Sequence, residues 1–294
     1  MLQSAFSFRS LFYIAYAVMI TALLLYVRFP AEKFKAYCEK RIERLLPGSA
    51  CNIDKIAYHF PLSADFETIK ISRTIDGQES EMTVDRLAIN PEPLQFWRAY
   101  KLRGGMYSGL FKASLDIDKK AQTFQLADIQ VEGLDAGKLA EGIGLADRKI
   151  SGLFEFTGDY RAPSDNPRNG VGKGVVRIVT GSMSLLQPIL ALSTIEFERL
   201  AANVTQQNGV ISFVEGELLG KEIVADFTGE MRLASPLLNS SILLSGHMEP
   251  DDDFLRSHPK EYQFVRRLLQ RYKVTVLPFK MGGTVKSPLF RFST

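Results

Sequence analysis

The residues best suited to chemistry in this chain are three histidines and two cysteines. His59, His247 and His258 lie far apart, and no pair has the spacing of metal ligands. Cys38 and Cys51 are 13 positions apart, which is not the spacing of a CxxC motif. The pattern therefore predicts no metal site and no catalytic histidine or cysteine.

Two other stretches resemble enzyme motifs but fit structural roles better. Gly170, Gly172 and Gly174 have the glycine spacing of a phosphate loop, but the Gly-Lys-Ser/Thr ending is missing and a strand pattern follows. The acidic run 251–253 suits a helix N-terminus. Neither a Walker A nor a GxSxG motif occurs in the sequence. We therefore expect no catalytic residue and no cofactor, and a membrane-anchored hydrolase is a disfavoured alternative.

The cysteines leave two interpretations open. Cys38 and Cys51 bracket a predicted helix and its turn, so they could form one disulfide in an oxidising compartment. The alternative is a pair of buried thiols. The choice depends on the distance between their Cα atoms, which the spacing does not determine.

The first element of the chain is an apolar run, Leu11 to Val27. It has 17 residues without a charge, between Arg9 and Arg28. A helix rises 1.5 Å per residue, so this run with Ser10 reaches about 27 Å, close to the thickness of a bilayer's hydrocarbon core. We expect a cytoplasmic tail (1–9) and an uncleaved transmembrane anchor (10–28). A cleaved signal peptide is disfavoured because no small-residue cleavage site follows the run. A buried core helix is disfavoured by the run's length and terminal position.

Residues 29–48 have the pattern of an amphipathic helix ended by Pro47 and Gly48. Phe34, Cys38 and Ile42 are among the apolar residues at helical spacing. We expect this helix to cap the following sheet. The alternative is a helix that rests on anionic headgroups, which the interleaved glutamates disfavour.

The remaining residues, 49–294, alternate between apolar and polar with the period of β-strands. The clearest strand has Phe111, Leu115 and Ile117 on one face with charged or polar neighbours on the other. Phase slips occur at 84–87 and at 126–129, as a β-bulge would produce. The pattern predicts a curved antiparallel meander sheet with one apolar face and a few capping helices.

Three further features complete the predicted organisation. The polar loop 162–169 is a possible boundary within the β-rich domain, and the chain ends in two strands, Val274 to Leu277 and Thr284 to Phe292. The net charge is only +3, and much of the basic excess lies near the anchor, so we expect no nucleic-acid partner.

Glycines on the apolar face allow two interpretations. Gly158, Gly229 and Gly246 first indicate strand curvature, because glycine allows tight bending. The second interpretation is that this curvature forms a trough that holds acyl chains of phospholipid. The candidate lining residues of that groove are Phe154, Phe156, Phe227, Met231, Ile242 and Leu244.

Several glycine-containing stretches carry a resemblance to a known family. The closing stretch 282–291, the earlier stretch 102–105 and the strand 152–160 resemble those of the type II secretion system protein N (GspN) family. Their patterns overlap with the AsmA-like envelope proteins, whose curved sheets are thought to carry lipid. The resemblance implies a non-enzymatic component of the type II protein secretion system in the bacterial inner membrane. Its periplasmic domain would bind other inner-membrane subunits. The alternative is an AsmA-like lipid-binding or lipid-transfer protein.

The charges beside the anchor disagree with the sidedness that the resemblance implies. Arg9 precedes the anchor, whereas Arg28, Lys33, Lys35 and further basic residues follow it. The positive-inside tendency alone would keep the large domain in the cytoplasm. We expect the periplasm, from the resemblance and the cysteine pair.

Overall fold

The chain folds around one open antiparallel sheet of 14 strands in sequence order. The computed structural model describes residues 12–17, 19–21, 30–46, 48–59, 63–75 and 78–293. The prediction of a mainly β protein with an antiparallel meander and few helices is confirmed.

The predicted anchor lies largely outside the described residues. Of Leu11 to Val27, residues 12–17 and 19–21 are described, and these are helical. Within the described part of the chain, no helix is both long enough and apolar enough to span a membrane. The anchor therefore stays a prediction.

The elements follow one another with short connections. The strands are β1 Ser49–His59, β2 Ser63–Ile75, β3 Gln78–Pro91, β4 Ala99–Met106, β5 Gly109–Asp118, β6 Thr123–Asp135, β7 Ser151–Pro163, β8 Val171–Ile189, β9 Leu192–Gln207, β10 Val210–Gly220, β11 Ile223–Arg232, β12 Ser241–Pro250, β13 Leu277–Gly283 and β14 Pro288–Phe292. The helices are α1 Ala31–Leu45, α2 Ala136–Gly142, α3 Asp252–Ser257 and α4 Pro259–Tyr272.

One face of the sheet is apolar from the first strand to the last. Residues paired across neighbouring strands share a face. One such row joins Phe111, Val131, Phe156, Val176 and Ala202 across β5 to β9. The register therefore assembles the alternating pattern of each strand into a single apolar surface.

The opposite face is polar and carries ion pairs between neighbouring strands. Arg86 Nη2 lies 2.9 Å from Asp65 Oδ2, and Arg199 contacts Glu217 at 3.0 Å. The side chains of Arg86, Arg199 and Glu217 are about half exposed or more, and only that of Asp65 is more buried. Solvent therefore screens these pairs, and each contributes little stability. The polar face is thus typical of a solvated surface.

Bulges keep the apolar residues on one face along the long strands. Asp128, Thr180 and Glu215 have positive φ angles, and the ladders shift register at each of them. The extra residue corrects the phase of the alternation and increases the local twist. The phase slip predicted at 126–129 is confirmed by the bulge at Asp128. The slip at 84–87 lies beside Thr68 of β2, whose φ is also positive.

The buried cores lie at two places on the apolar face, each beneath helices. The first is formed by β1 and β2 beneath α1, where Ile53 is completely buried and Phe34 and Ile42 pack on the cluster. The second is formed by β8 to β13 with α3 and α4, which bury Phe254 and Val265. The apolar stripes of these helices explain why they dock there.

The loop 162–169 connects two neighbouring strands of the same sheet. β7 and β8 pair on either side of it, from Arg161 opposite Val171 to Ser151 opposite Ser182. The loop itself contains a 3-10 turn, Pro167–Asn169. The sheet is continuous across this position.

The last two strands differ from their predicted bounds. Lys273 ends α4 in a left-handed conformation, and residues 274–276 form the connection to β13. The strand therefore starts at Leu277 and includes Gly282 and Gly283, and β14 begins only at Pro288. Leu277 and Phe279 fix the position of β13, because both side chains are buried in the core beneath α4.

Candidate functional site

An extended apolar surface lies in the middle of the sheet, and we call it the central trough. It consists of half-buried side chains on the apolar face of β4 to β12. These are Leu102, Phe111, Leu115, Phe124, Leu126, Ile129, Val131, Phe154, Phe156, Val176, Val204, Ile211, Phe213, Phe227, Met231, Ile242 and Leu244.

The described helices pack mainly beside the central trough. α1 packs on β1, α2 contacts β3, β6 and β7 near the strand ends, and α4 contacts β13. The side chains of the trough are nevertheless half-buried rather than exposed. Neighbouring side chains on the same face therefore supply part of their shielding.

Glycines opposite aromatic residues form part of the floor of the trough. Gly104 pairs with Phe111 across β4 and β5, and Gly216 pairs with Phe227 across β10 and β11. In each pair the aromatic ring occupies the space where a Cβ atom on the glycine would lie. A ring that covers a glycine lies flat on the sheet, so it shields the backbone while the strands approach closely.

All six predicted groove residues lie on this apolar face. Phe154 and Phe156 lie on β7, which three strands separate from the β11 and β12 group. In that group Met231 pairs with Ile242, and Phe227 and Leu244 lie opposite glycines of the neighbouring strand. The structure therefore brings the six residues onto one surface, although as two groups. Their role in binding lipid stays a prediction.

The sequence-based choice of residues missed most of the trough. Phe111, Phe124 and Phe213 also line it, and they occur in plainly alternating strands. The alternation pattern could have identified them, but only the register shows that β4 to β6 continue the same surface as β7 and β8.

One end of the trough contains polar groups. The Tyr160 hydroxyl donates to the Pro167 carbonyl oxygen and accepts a hydrogen bond from Gln206 Nε2 at 3.3 Å. Burial raises the pKa of Tyr160, so the phenol is neutral at physiological pH. Tyr160 and Gln206 share the apolar face through Gly172, which lies between them. The donors of this pair are engaged within the protein, since Gln206 Nε2 also donates to the Arg168 carbonyl oxygen at 3.2 Å.

The three histidines lie away from this surface and from one another, and the two cysteines lie together beneath α1. His247 Nδ1 contacts Asp226 at 3.2 Å on the polar face, His59 lies 3.5 Å from Asp65, and His258 caps the end of α3. Within the described residues no group of three His, Cys, Asp or Glu side chains is placed to hold a metal ion.

Cys38 and Cys51 are free thiols in the core beneath α1. Burial, followed by the negative charges of Glu39 and Glu43, raises the pKa of Cys51 to about 11. Burial and Glu39 also raise the pKa of Cys38. The two residues belong to one cluster, and the disulfide between them stays a prediction.

Two glutamates of α1 bind the outer edge of the sheet. Glu39 Oε1 accepts a hydrogen bond from the Ile53 amide at 3.0 Å, and Glu43 Oε1 accepts one from the Cys51 amide at 3.3 Å. These amides belong to β1, the edge strand, so the helix satisfies donors that could otherwise pair with another strand. Neither glutamate was recognised as special in the sequence, where both fit an ordinary helix surface.

In comparisons with known proteins, no family model, no curated protein and no solved structure matches this chain.

Proposed function

We propose that the central trough binds the acyl chains of phospholipids and that the protein is a lipid-binding envelope protein of the AsmA-like kind. The observation that carries this proposal is a continuous apolar face whose middle is half-buried, while the described helices pack mainly beside it. An apolar sheet face that continues over nine strands is typical of a binding site.

The dimensions of the trough suit acyl chains. Neighbouring strands are about 4.8 Å apart, so the eight intervals from β4 to β12 span about 38 Å along the curved sheet. A bilayer's hydrocarbon core of about 30 Å holds two acyl chains end to end, so each chain needs about 15 Å. The trough is therefore long enough for a lipid chain laid across the strands.

In this proposal the predicted anchor, residues 10–28, holds the chain in the bacterial inner membrane, with the β-rich domain in the periplasm. The membrane then supplies the ligand. Burial of acyl methylene groups contributes about 0.8 kcal/mol each, so even partial coverage of one chain gives useful affinity. The protein needs no catalytic residue for this role.

Native mass spectrometry of the full chain, extracted from bacterial membranes in a mild detergent, tests the proposal. We expect mass adducts of phospholipid on the natural chain. Phe156→Asp and Leu244→Asp place a charge in the trough, so we expect both variants to lose the adducts. Circular dichroism establishes that each variant retains its β-sheet content.

Matched controls lie at the next position on the same strands. Thr157 and Ser245 are exposed on the polar face, so Thr157→Asp and Ser245→Asp should keep the lipid adducts. A natural chain without adducts, or trough and control variants that behave alike, would show that the trough does not hold lipid.

A role as a subunit of the type II secretion system remains a second proposal, and its structural basis is the edge strand β14. This strand pairs only with β13 in the sheet order, and Leu289 on it is exposed. An extended segment of a partner could pair with such an edge. A photocrosslinker at Leu289 should then capture an inner-membrane secretion subunit, whereas one at Leu243, exposed on β12, should not. Equal capture at both positions would contradict this role.

A further inference from the structure

The loop between β3 and β4 carries three exposed apolar side chains. Leu94 is 87% exposed, Phe96 47% and Trp97 56%. The rings of Phe96 and Trp97 meet edge to face with their centroids 5.0 Å apart. Single exposed apolar residues are ordinary on protein surfaces, but three within four positions form a patch.

The loop is held in place by its own hydrogen bonds. The Glu92 amide donates to the Ala99 carbonyl at 2.9 Å, and the Ala99 amide donates to the Gln95 carbonyl at 2.8 Å. Arg98 Nε contacts both carboxylate oxygens of Asp116, at 2.7 and 2.9 Å. An ordered turn thus presents these apolar side chains outward.

The position of this loop relates it to the amino-terminal part of the chain. The bonds of Glu39 to Ile53 and of Glu43 to Cys51 show that α1 runs antiparallel to β1. The start of α1 therefore lies toward the His59 end of β1. β3 is parallel to β1, because both are antiparallel to β2, so β3 also ends at this side of the sheet.

A row of cross-strand pairs shows that β1 and β3 end at the same height in the sheet. Tyr58 near the end of β1 pairs with Ala64, and Ala64 pairs with Ile89 near the end of β3. The β3–β4 loop projects beyond this row. Pro30, at the start of α1, follows the last residue of the predicted anchor, Val27, by three positions. The exposed patch and the start of α1, which the predicted anchor precedes in the sequence, therefore lie at the same end of the sheet.

We propose that Leu94, Phe96 and Trp97 insert into the interface of the bilayer that residues 11–27 span, as a second membrane contact. This inference rests on the proposed anchor. Tryptophan and phenylalanine favour the headgroup level of a membrane, and a leucine beside them adds apolar area. β4, the first strand of the central trough, starts directly after this loop, so the contact opens the trough toward the membrane surface.

The chain contains one tryptophan, so the fluorescence of Trp97 reports this contact directly. The full chain is reconstituted into phosphatidylcholine and phosphatidylglycerol vesicles whose acyl chains are brominated either near the headgroup or deep in the bilayer. We expect a blue-shifted emission, and stronger quenching by the shallow bromines than by the deep ones, because the loop lies at the interface.

Two variants make the test specific. The double variant Leu94→Ser with Phe96→Ser should lose most of the quenching of Trp97. Leu110→Ser, which removes another exposed leucine, on β5, should leave it unchanged. The loop contact is contradicted if Trp97 emission is the same in brominated and unbrominated vesicles.

Flotation of the vesicles separates the possible failures. A chain that does not float with the vesicles would overturn the anchor and the loop contact together. A chain that floats without quenching would overturn the loop contact alone. A chain that floats without quenching can still carry the lipid adducts that test the trough, so failure of the loop contact is distinguishable from failure of the lipid-binding proposal.

Discussion

Arg148 and Lys286 are 138 positions apart, and Arg148 Nη2 donates a hydrogen bond to the Lys286 carbonyl oxygen at 2.6 Å. The same nitrogen contacts the Val285 carbonyl at 3.2 Å. Arg148 lies between β6 and β7, whereas the two carbonyls belong to the turn between β13 and β14. Neighbouring strands twist by about 20 to 25°, so seven steps turn the sheet by about 150°. Twist alone would leave strands seven steps apart about 34 Å from one another, so the sheet must also curl to bring these distant turns together.

Replacing Arg148 should loosen this contact. Arg148→Met removes hydrogen bonds from a side chain that is 7% exposed and leaves two part-buried bonds to the Val285 and Lys286 carbonyls unmade. We expect the free energy of unfolding to fall by about 2 to 4 kcal/mol, measured by urea denaturation. The amides of Val285 and Lys286, which bond to Ser240 and Leu238, should exchange hydrogen faster.

The matched control for that variant is the adjacent cation. Lys149 is exposed, so Lys149→Met should change both measurements little. If both variants lose the same stability, the contact between the turns does not hold the rolled sheet.

The glutamates of α1 should protect the edge of β1. The double variant Glu39→Ala with Glu43→Ala leaves two amides of β1 without acceptors. We expect a loss of about 2 to 3 kcal/mol and new self-association through this edge. Unfolding experiments and size-exclusion chromatography with light scattering measure the two effects. Glu32→Ala, an exposed change on the same helix, should remain at the natural oligomeric state.

The paired glycines should tolerate no side chain. A Cβ atom at Gly216 would meet the ring of Phe227, so we expect Gly216→Ala to cost about 1 to 3 kcal/mol of stability. At Gly105 the nearest atom lies 3.6 Å from an added Cβ, so Gly105→Ala should be neutral or slightly stabilising. Phe227→Leu should recover part of the loss in the Gly216→Ala background. Equal effects of the two alanines would contradict the role of the ring.

The raised pKa of Cys51 should make the core beneath α1 sensitive to alkaline pH under reducing conditions. The ordinary thiol pKa is 9.0, and burial with the neighbouring glutamates raises that of Cys51 to about 11. Below pH 9 the thiol is neutral in both the folded and the unfolded chain. Between about pH 9 and 11 only the unfolded chain ionises, so the free energy of unfolding should fall as the pH rises.

Urea denaturation at several pH values measures this dependence. Cys51→Ser removes the ionising thiol, so its stability should fall less over the same range than that of the natural chain. The same slope in both proteins would show that other groups cause the alkaline loss.

The sequence alone predicted the parts of the fold that depend on neighbouring residues. Alternation in β5 and the slip at 126–129 predicted a half-buried strand and a bulge, and the acidic run 251–253 predicted a helix N-terminus, where α3 begins. These features follow from local steric and hydrophobic preferences. The error at Val274 to Leu277 came from the same source: β-branched residues suggested a strand where the end of α4 required a connection.

Alternation in each strand determined that this protein would have one apolar and one polar sheet face. The tertiary structure alone decided how that face is used. The strand register aligns the apolar residues of β4 to β12 in one trough. The twist and curl of the sheet place Arg148 beside Lys286, and the docking of α1 places Glu39 against the edge of β1. These relationships connect residues far apart in sequence, and small rotations summed over many strands set their geometry.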